Sequence, residues 1–464
     1  MQDGDWLEAG QWAEELWGNA ELGDPRRTKR VVRLASQLAA QPSQHLPQQC
    51  GNWADLKAAY RLLNNPALTP AQLSQPVWEA TLARALHAHG PVLFLQDGSE
   101  LNFTHHPKTK GLGYGGNPQQ RSLMLHTMLC VQPQGERQHL KVLGVAAQKC
   151  WVRSQHRGQE RREERYARWN ENDVWADLLA LSGSLPEQTP WVCVSDRGSD
   201  DYGYFLEAQR LGWHLLARAA RTRRAAIDGQ AVSLFEGMRA QPRVAQVALH
   251  LRGRAGQPAQ TLHLQVSFTP VTLQPPKNGP HRQAPPLPLW AVRAWSQDGK
   301  YEWLLLSTVP VLSVADALER VNWYAHRWVI EEYHKALKTG CQFEARQLET
   351  AEGLQRLLSL LSPVAARLLA LRSLSRTAGD ELAQAHLPLD LVRLVIRKLG
   401  LPQVPETSTL RDFWRGVAQL GGFIGRKGDG EPGWQTLWRG WLRVLDMAWA
   451  AEIDVADTAP NICG

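Results

Sequence analysis

Four textures succeed one another along the chain. Up to about residue 75, apolar residues recur in short bursts at helical spacing, which predicts several short helices. One has a marked start: Asp24 stands where a side chain caps a first turn, and Pro25 where a missing N–H costs nothing. From about 76 to 220, compact apolar runs alternate with helical stretches. Strands are predicted at 92–95, 124–131, 140–147, 191–194 and 213–217, and helices at about 160–182 and 201–211. This order predicts an α/β domain on a mixed sheet. From about 221 to 310 the period changes to two. Leu262, Leu264, Val266 and Phe268 alternate with His263, Gln265 and Ser267, as in a half-buried antiparallel strand. A proline-rich loop at 275–288 and two more strands near 289–295 and 302–308 complete a β-rich insertion. From Ser313 to about 375 the chain reads as helix, opening on a capping-box-like Ser313 and Asp316. The stretch from about 376 to 464 is helical again, with breaks at Gly421, Gly422 and 428–433.

Composition narrows the field only a little. A chain of 464 residues exceeds one ordinary domain, and 43% hydrophobic with 21% charged residues is ordinary for a globular protein. The net charge of +7 fits a polyanionic partner without singling one out. Twenty tryptophans supply either core or a surface on which bases stack. The six cysteines form no C-x-x-C pair, which argues against a zinc ribbon or a redox dithiol and fits a reducing compartment. The N-terminus lacks the basic and apolar regions of a signal peptide, and no membrane span is expected.

Candidate chemistry begins with two aspartates. Asp97 and Asp196 each stand two positions past a short apolar run suited to a strand buried on both faces, and small residues follow each within two positions. Functional groups gather at the carboxyl ends of strands in open α/β sheets. Two carboxylates on neighbouring strands repel unless a cation sits between them, and hard oxygens suit Mg²⁺ or Mn²⁺. Either residue alone is also an ordinary turn aspartate.

The segment 313–340 adds a helix with two faces. Val314, Ala317, Leu318, Val321, Ala325 and Trp328 share an apolar stripe, while Tyr324, Arg327, Glu331 and Lys338 fall on one arc beside it. A phenol, a guanidinium, a carboxylate and an ammonium in a row suit phosphoryl transfer. The carboxylate completes a metal site, and the cations hold phosphates. Glu332 lies near the apolar stripe, so Glu331 is the better ligand candidate. The same arc also reads as a solvated helix edge with an Arg327–Glu331 ion pair.

The spacing Tyr324-x-x-Arg327-x-x-x-Glu331, with Lys338 seven residues on, resembles the Y-R-E-K signature of DDE transposases of the insertion-sequence-four family. His326, Trp328, Ile330, Glu332, His334, Lys335, Ala336, Thr339 and Gly340 extend the likeness. The run from Leu22 to Thr28 resembles the family's end-binding domain, and Leu420 to Phe423 with 434–441 resembles its dimerising region. The resemblance covers most of the chain. It implies an α/β, RNase H-like catalytic core at 76–375 with a β-rich insertion at 221–310. Flanking it are a helical end-binding domain at 1–75 and a helical dimerisation domain at 376–464. Asp97, Asp196 and Glu331 are then the metal-binding triad, for two Mg²⁺ ions with Mn²⁺ able to substitute. Arg218 lies near the reacting strand, Trp303 and Trp328 hold a flipped base, and Arg26, Arg27 and Arg30 contact the transposon end. The implied activity is cut-and-paste transposition through a DNA hairpin, with double-stranded DNA as partner, a synaptic homodimer, no membrane and a bacterial cytoplasmic setting. Gly98 and Ser99 depart from the hydroxyl pair the family usually has there, the loop 105–120 is Gly-rich, and 275–288 has no counterpart. Two other readings share these residues: a nuclease of the same fold without strand transfer, and a transposase-derived DNA-binding regulator.

Overall fold

The computed structural model describes residues 9–117, 119–134, 139–153, 168–185, 189–251, 260–377, 379–426 and 429–451. Short helices come first: α1 (Ala9–Trp17), α2 (Pro25–Ala40), α3 (Leu46–Cys50), α4 (Trp53–Leu63) and α5 (Pro70–Leu86). Strands β1 (Val92–Asn102), β2 (Gly113–Tyr114), β3 (Arg121–Gln134) and β4 (His139–Trp151) follow. Helix α6 (Val174–Ser182) precedes β5 (Trp191–Ser195), and α7 (Tyr202–Leu211) links it to β6 (His214–Arg218). Next come β7 (Arg224–Ile227), β8 (Gln230–Ser233), α8 (Leu234–Arg239), β9 (Ala245–Leu251), β10 (Gln260–Leu273), β11 (Leu287–Ser296) and β12 (Glu302–Ser307). The rest is helical: α9 (Val314–His326), α10 (Val329–Lys335), α11 (Ala351–Thr377), α12 (Leu389–Leu399), α13 (Leu410–Leu420) and α14 (Trp434–Ala450).

One mixed sheet of twelve strands organises the molecule. Strand β1 lies antiparallel to β3 and parallel to β5, and β5 is parallel to β6. Both faces are covered, so β1 alternates between two cores. Leu93 and Leu95 join the core that holds α2, α9 and α11, while Val92 and Phe94 join the one that holds α6 and α7. A mixed sheet with helices on both faces is the RNase H-like arrangement the sequence led us to expect. The caps agree too: Asp24 accepts from Arg26 N with Pro25 next, and Ser313 with Asp316 forms a full capping box.

The β-rich insertion lies within the α/β sheet: β12 pairs antiparallel with β6 and carries that sheet straight into β11 and β10. Two expectations change. Strand β10 is not half-buried: it lies between β11 and the strands β7 and β9, and its polar Gln265 and Ser267 are buried with the apolar set. The helix from Ser313 is not continuous. It breaks at Arg327 and Trp328, resumes as α10, and ends in a π-turn over Ala336–Gly340 before α11 begins. Helix α6 starts at Val174, and the first part of the helix expected at 160–182 lies outside the described residues, as do Cys463 and Gly428.

The terminal helices pack on α11. Arg346, just before it, is 2% exposed and donates to the backbone carbonyls of Gln44 (2.6 Å), Pro42 (2.7 Å) and Cys341 (2.7 and 3.2 Å) and to Gln49 Oε1 (3.0 Å). Arg356 likewise reaches the carbonyls of Leu63 (2.9 Å) and Leu68 (2.5 Å). Buried cations at these points lock the N-terminal helices to the segment that follows the glutamate helix. Helix α5 runs through the boundary expected at 75, and α11 through the one expected at 375. The glycine pair at 421–422 is the expected break, ending α13 at Leu420, and it also marks a close helix crossing. A Cβ at Gly421 would meet the Thr436 carbonyl at 1.8 Å, and one at Gly440 the Val417 carbonyl at 1.6 Å. Among the described residues, the cysteines are all free and no helix is long and apolar enough to cross a membrane.

Candidate active site

Register places the two aspartates side by side. Leu95 pairs with Val194 across the parallel strands β1 and β5, so Asp97 and Asp196, each two residues on, occupy equivalent positions on adjacent strands. Alternation turns both to the face of Leu95 and Val194, the face on which α9 to α11 pack. The row continues. Val194 pairs with Leu216 on β6, so Arg218 stands in register beside Asp196. Asp196 is held by an Asx turn onto Gly198 N (2.7 Å), and Arg218 donates to the Glu302 carbonyl (2.8 Å). Asp200, 1% exposed, ties the two strand ends together. It accepts from Ala220 N (2.7 Å) and Arg221 N (2.8 Å) and pairs with Arg223 at 2.5 Å.

Helix α10 brings the third carboxylate. Ile330 and Tyr333 are buried against the sheet, and Glu331 keeps 40% of its side-chain surface. Arg327, at the helix break, donates to Asp97 Oδ2 at 2.6 Å and lies 3.9 Å from Glu331 Oε1. The expected Arg327–Glu331 pair is therefore the weaker of two. Burial pushes the Asp97 carboxyl up to about 6; Arg327 opposes this, while the charges of Asp196 and Glu331 add to it. Arg327 itself is desolvated, yet Asp97, Tyr324 and Asp196 raise its pKa above the ordinary value. Asp97 thus feels the charge of both other carboxylates, and Arg327 compensates only part of it. Their hard, acceptor-only oxygens are the donor set for a divalent cation. Among the described residues no three His, Cys, Asp or Glu side chains stand close enough to hold a metal ion together in this structure, and Arg327 stands between Asp97 and Glu331. Two histidines near this row are not acid–base candidates. Burial drives both His126 and His334 down to about 3, so they stay neutral.

The remaining candidates divide. Tyr324 is not on an open edge: it is 5% exposed and stacks edge-on to Trp303 with centroids 4.9 Å apart. Val314 (39%) and Trp328 (45%) were expected in the core stripe and are exposed instead: Val314 is the first residue of α9, next to its cap Ser313, and Trp328 lies at the break between α9 and α10. The buried face of α9 is carried by Ala317, Arg320, Val321, Trp323, Tyr324 and His326. Lys338 sits in the π-turn, 3.8 Å from Glu344. On α2, Arg26 is exposed, whereas Arg27 donates to the Leu22 carbonyl (3.1 Å) and Arg30 pairs with Asp55 at 3.0 Å. Arg33 binds the same carboxylate at 2.6 Å. Sequence reasoning missed Asp55, Asp200, Thr127, Gln148 and Tyr333. Only Asp200 had a signal, as a second aspartate four residues after Asp196.

Comparison with known families gives three matches along the chain. A transposase DNA-binding model matches residues 9–68, a transposase DDE domain matches 165–369, and the dimerisation domain of Tn5 transposase matches 364–453. Asp196 and Glu331 fall inside the DDE match, and Asp97 precedes it.

Proposed function

From the premise that the chain belongs to the Tn5-type DDE transposases, enzymes that cleave DNA and transfer strands, we propose that Asp97, Asp196 and Glu331 are its catalytic carboxylates. The observation that carries this is the shared register of Asp97 and Asp196 on adjacent strands, with the Glu331 helix packed on the same face. DDE domains use divalent ions, generally Mg²⁺, and these three residues would hold two of them, with Mn²⁺ able to replace Mg²⁺. A bound ion supplies Lewis acidity and an ionised water at neutral pH.

The protein's own groups do the rest. Asp97 and Asp196 fix one edge of the site through the rigid sheet, and Glu331 closes it from the helix. Arg327, Lys338 and Arg218 hold the phosphates on either side of the scissile bond, and Tyr324 sets the Trp303 ring behind them. Water attacks the scissile phosphorus in line, and the 3′-oxygen leaves with a proton. That 3′-OH then attacks the opposite strand and closes a hairpin; a second water opens it, and the 3′-OH finally attacks target DNA. Each step forms one P–O bond and breaks another, so one site serves all four. Hairpin closure needs an extruded base, for which Trp328 and Trp303 offer aromatic faces. The chain binds DNA and forms dimers. We assign end recognition to 1–75 through Arg26, Arg27 and Arg30, catalysis to 76–375, and pairing of two subunits on two transposon ends to 376–464.

The test uses Asp97→Ala, Asp196→Ala and Glu331→Ala with Mg²⁺ and DNA carrying candidate ends. Each variant should bind ends in a gel shift and fail to nick them. Wild-type nicking by any one removes it from the site. Wild-type protein that nicks but never yields joined strands would be a nuclease instead.

A further inference from the structure

Asp97 belongs to a row that runs the other way as well. Thr127 pairs opposite Asp97 across β1 and β3, and Gln148 pairs opposite Thr127 across β3 and β4. Directly paired residues project from the same face of a sheet. Gln148 Nε2 donates to Thr127 Oγ1 (2.9 Å) and to Tyr333 Oη (2.9 Å). The Tyr333 hydroxyl lies 2.7 Å from Ser362 Oγ of α11, and the Ser362 hydroxyl donates to Gln148 Oε1. Amide, phenol and serine therefore close a ring in which each donor meets an acceptor. Tyr333 and Thr127 are fully buried, Ser362 is 3% and Gln148 9% exposed.

Tyr333 stands two residues after Glu331 in a helix of only seven residues. That helix is loose at both ends, with a break at Arg327 and Trp328 before it and a π-turn after it. Continuity with longer helices therefore does not set its rotation. Residues two apart are about 200° apart around the axis. A bond drawing Tyr333 towards β4 turns Glu331 to the opposite flank, where Arg327 meets Asp97.

We infer that Tyr333, clamped by Gln148 and Ser362, is a positioning residue that sets the rotation of Glu331 towards Asp97 and Asp196. The inference rests on Glu331 being a metal ligand. Orienting partners of this kind commonly change metal affinity on the order of tenfold or more when removed. Tyr333→Phe keeps the ring and leaves Gln148 and Ser362 bonded to each other, and Gln148→Met removes the clamp from the other side at similar volume. Each should keep wild-type affinity for end DNA. Each should also need roughly tenfold more Mg²⁺ for half-maximal nicking and bind Mn²⁺ roughly tenfold more weakly on the DNA complex. Wild-type Mg²⁺ dependence and Mn²⁺ affinity in either variant, with or without a lower melting temperature, would leave Tyr333 a packing residue and overturn the inference. Glu331→Gln in parallel separates the two ideas. If it binds Mn²⁺ and nicks as wild type does, the ligand assignment has failed rather than the clamp.

Discussion

Arg327 Nη1 lies 2.6 Å from Asp97 Oδ2, so an internal cation stands where Asp97, in the role proposed for it, would receive a metal ion. Its other nitrogen is 3.9 Å from Glu331, which makes the guanidinium a bridge between two of the three carboxylates. Metal loading then requires Arg327 to leave Asp97, and a DNA phosphate is the natural acceptor for its planar donors. We expect Arg327→Gln to bind Mn²⁺ more tightly without DNA, by roughly tenfold for the loss of one charged hydrogen bond. Nicking should fall in the same variant because the phosphate grip is gone. Calorimetric Mn²⁺ titration of the DNA-free protein checks this; an affinity at or below wild type would rule out competition.

The raised Asp97 pKa predicts a pH effect on stability. The carboxyl ordinarily ionises at 3.8 and here at about 6, so between those values the folded chain holds a proton that the unfolded chain has released. Stability therefore falls as pH rises from about 4 to about 6 and stays lower above that. Asp97→Asn should recover on the order of 2–3 kcal/mol at pH 7.5 and almost nothing at pH 4. Urea melts in EDTA at the two pH values measure it. An equal effect at both would mean that ionisation of Asp97 is not the cause.

The basic helix α2 should show two kinds of arginine. Arg26 is exposed, while Arg30 is held by the nearly buried Asp55 together with Arg33, Gln37 and Asn52. Arg26→Ala should leave the melting temperature alone and lower the slope of log affinity against log salt by about one, the signature of one lost phosphate contact. Arg30→Ala should lower the melting temperature as well, because it strips a partner from Asp55. Anisotropy titrations over a range of KCl concentrations distinguish them, and an unchanged slope for Arg26→Ala would exclude it from the DNA contact.

Helices α13 and α14 cross with backbone against backbone. A methyl group at Gly440 has no space, with the Val417 carbonyl 1.6 Å from the added carbon. Gly440→Ala should force the pair apart and destabilise the C-terminal helices by at least about 1–3 kcal/mol, the usual range for overpacking. Loss of the dimer on a sizing column should accompany it. Wild-type melting and assembly would show that the crossing relaxes freely.

Local signals carried much of the architecture. The runs ending at Leu95 and Val194 suited strands buried on both faces, and Asp24 and Ser313 marked helix starts by side-chain chemistry that needs no partner elsewhere. Glu331 was preferred to Glu332 from helical phase, and the Y-R-E-K spacing supplied the family. Phase failed where the helix did. Trp328 went outside because the break at Arg327 is a tertiary compromise that no periodicity records, whereas Tyr324, seven residues after Ala317, lies inside on the same helix face. The burial of Gln265 and Ser267 was equally hidden, since whether a strand lies at the edge or the middle of a sheet depends on partners far along the chain.

The sequence by itself determined which candidate groups this protein offers for chemistry: two aspartates that follow apolar strand runs, a glutamate on a helical arc and the cations around them. Only the tertiary structure decided their arrangement. Register set Gln148, Thr127, Asp97, Asp196 and Arg218 in one row across five strands, and packing put Arg327 on Asp97 and Tyr333 on Gln148. The physical reason is that pairing register and side-chain contact are properties of strands and helices brought together from distant parts of the chain, whereas periodicity and capping are written within a few residues.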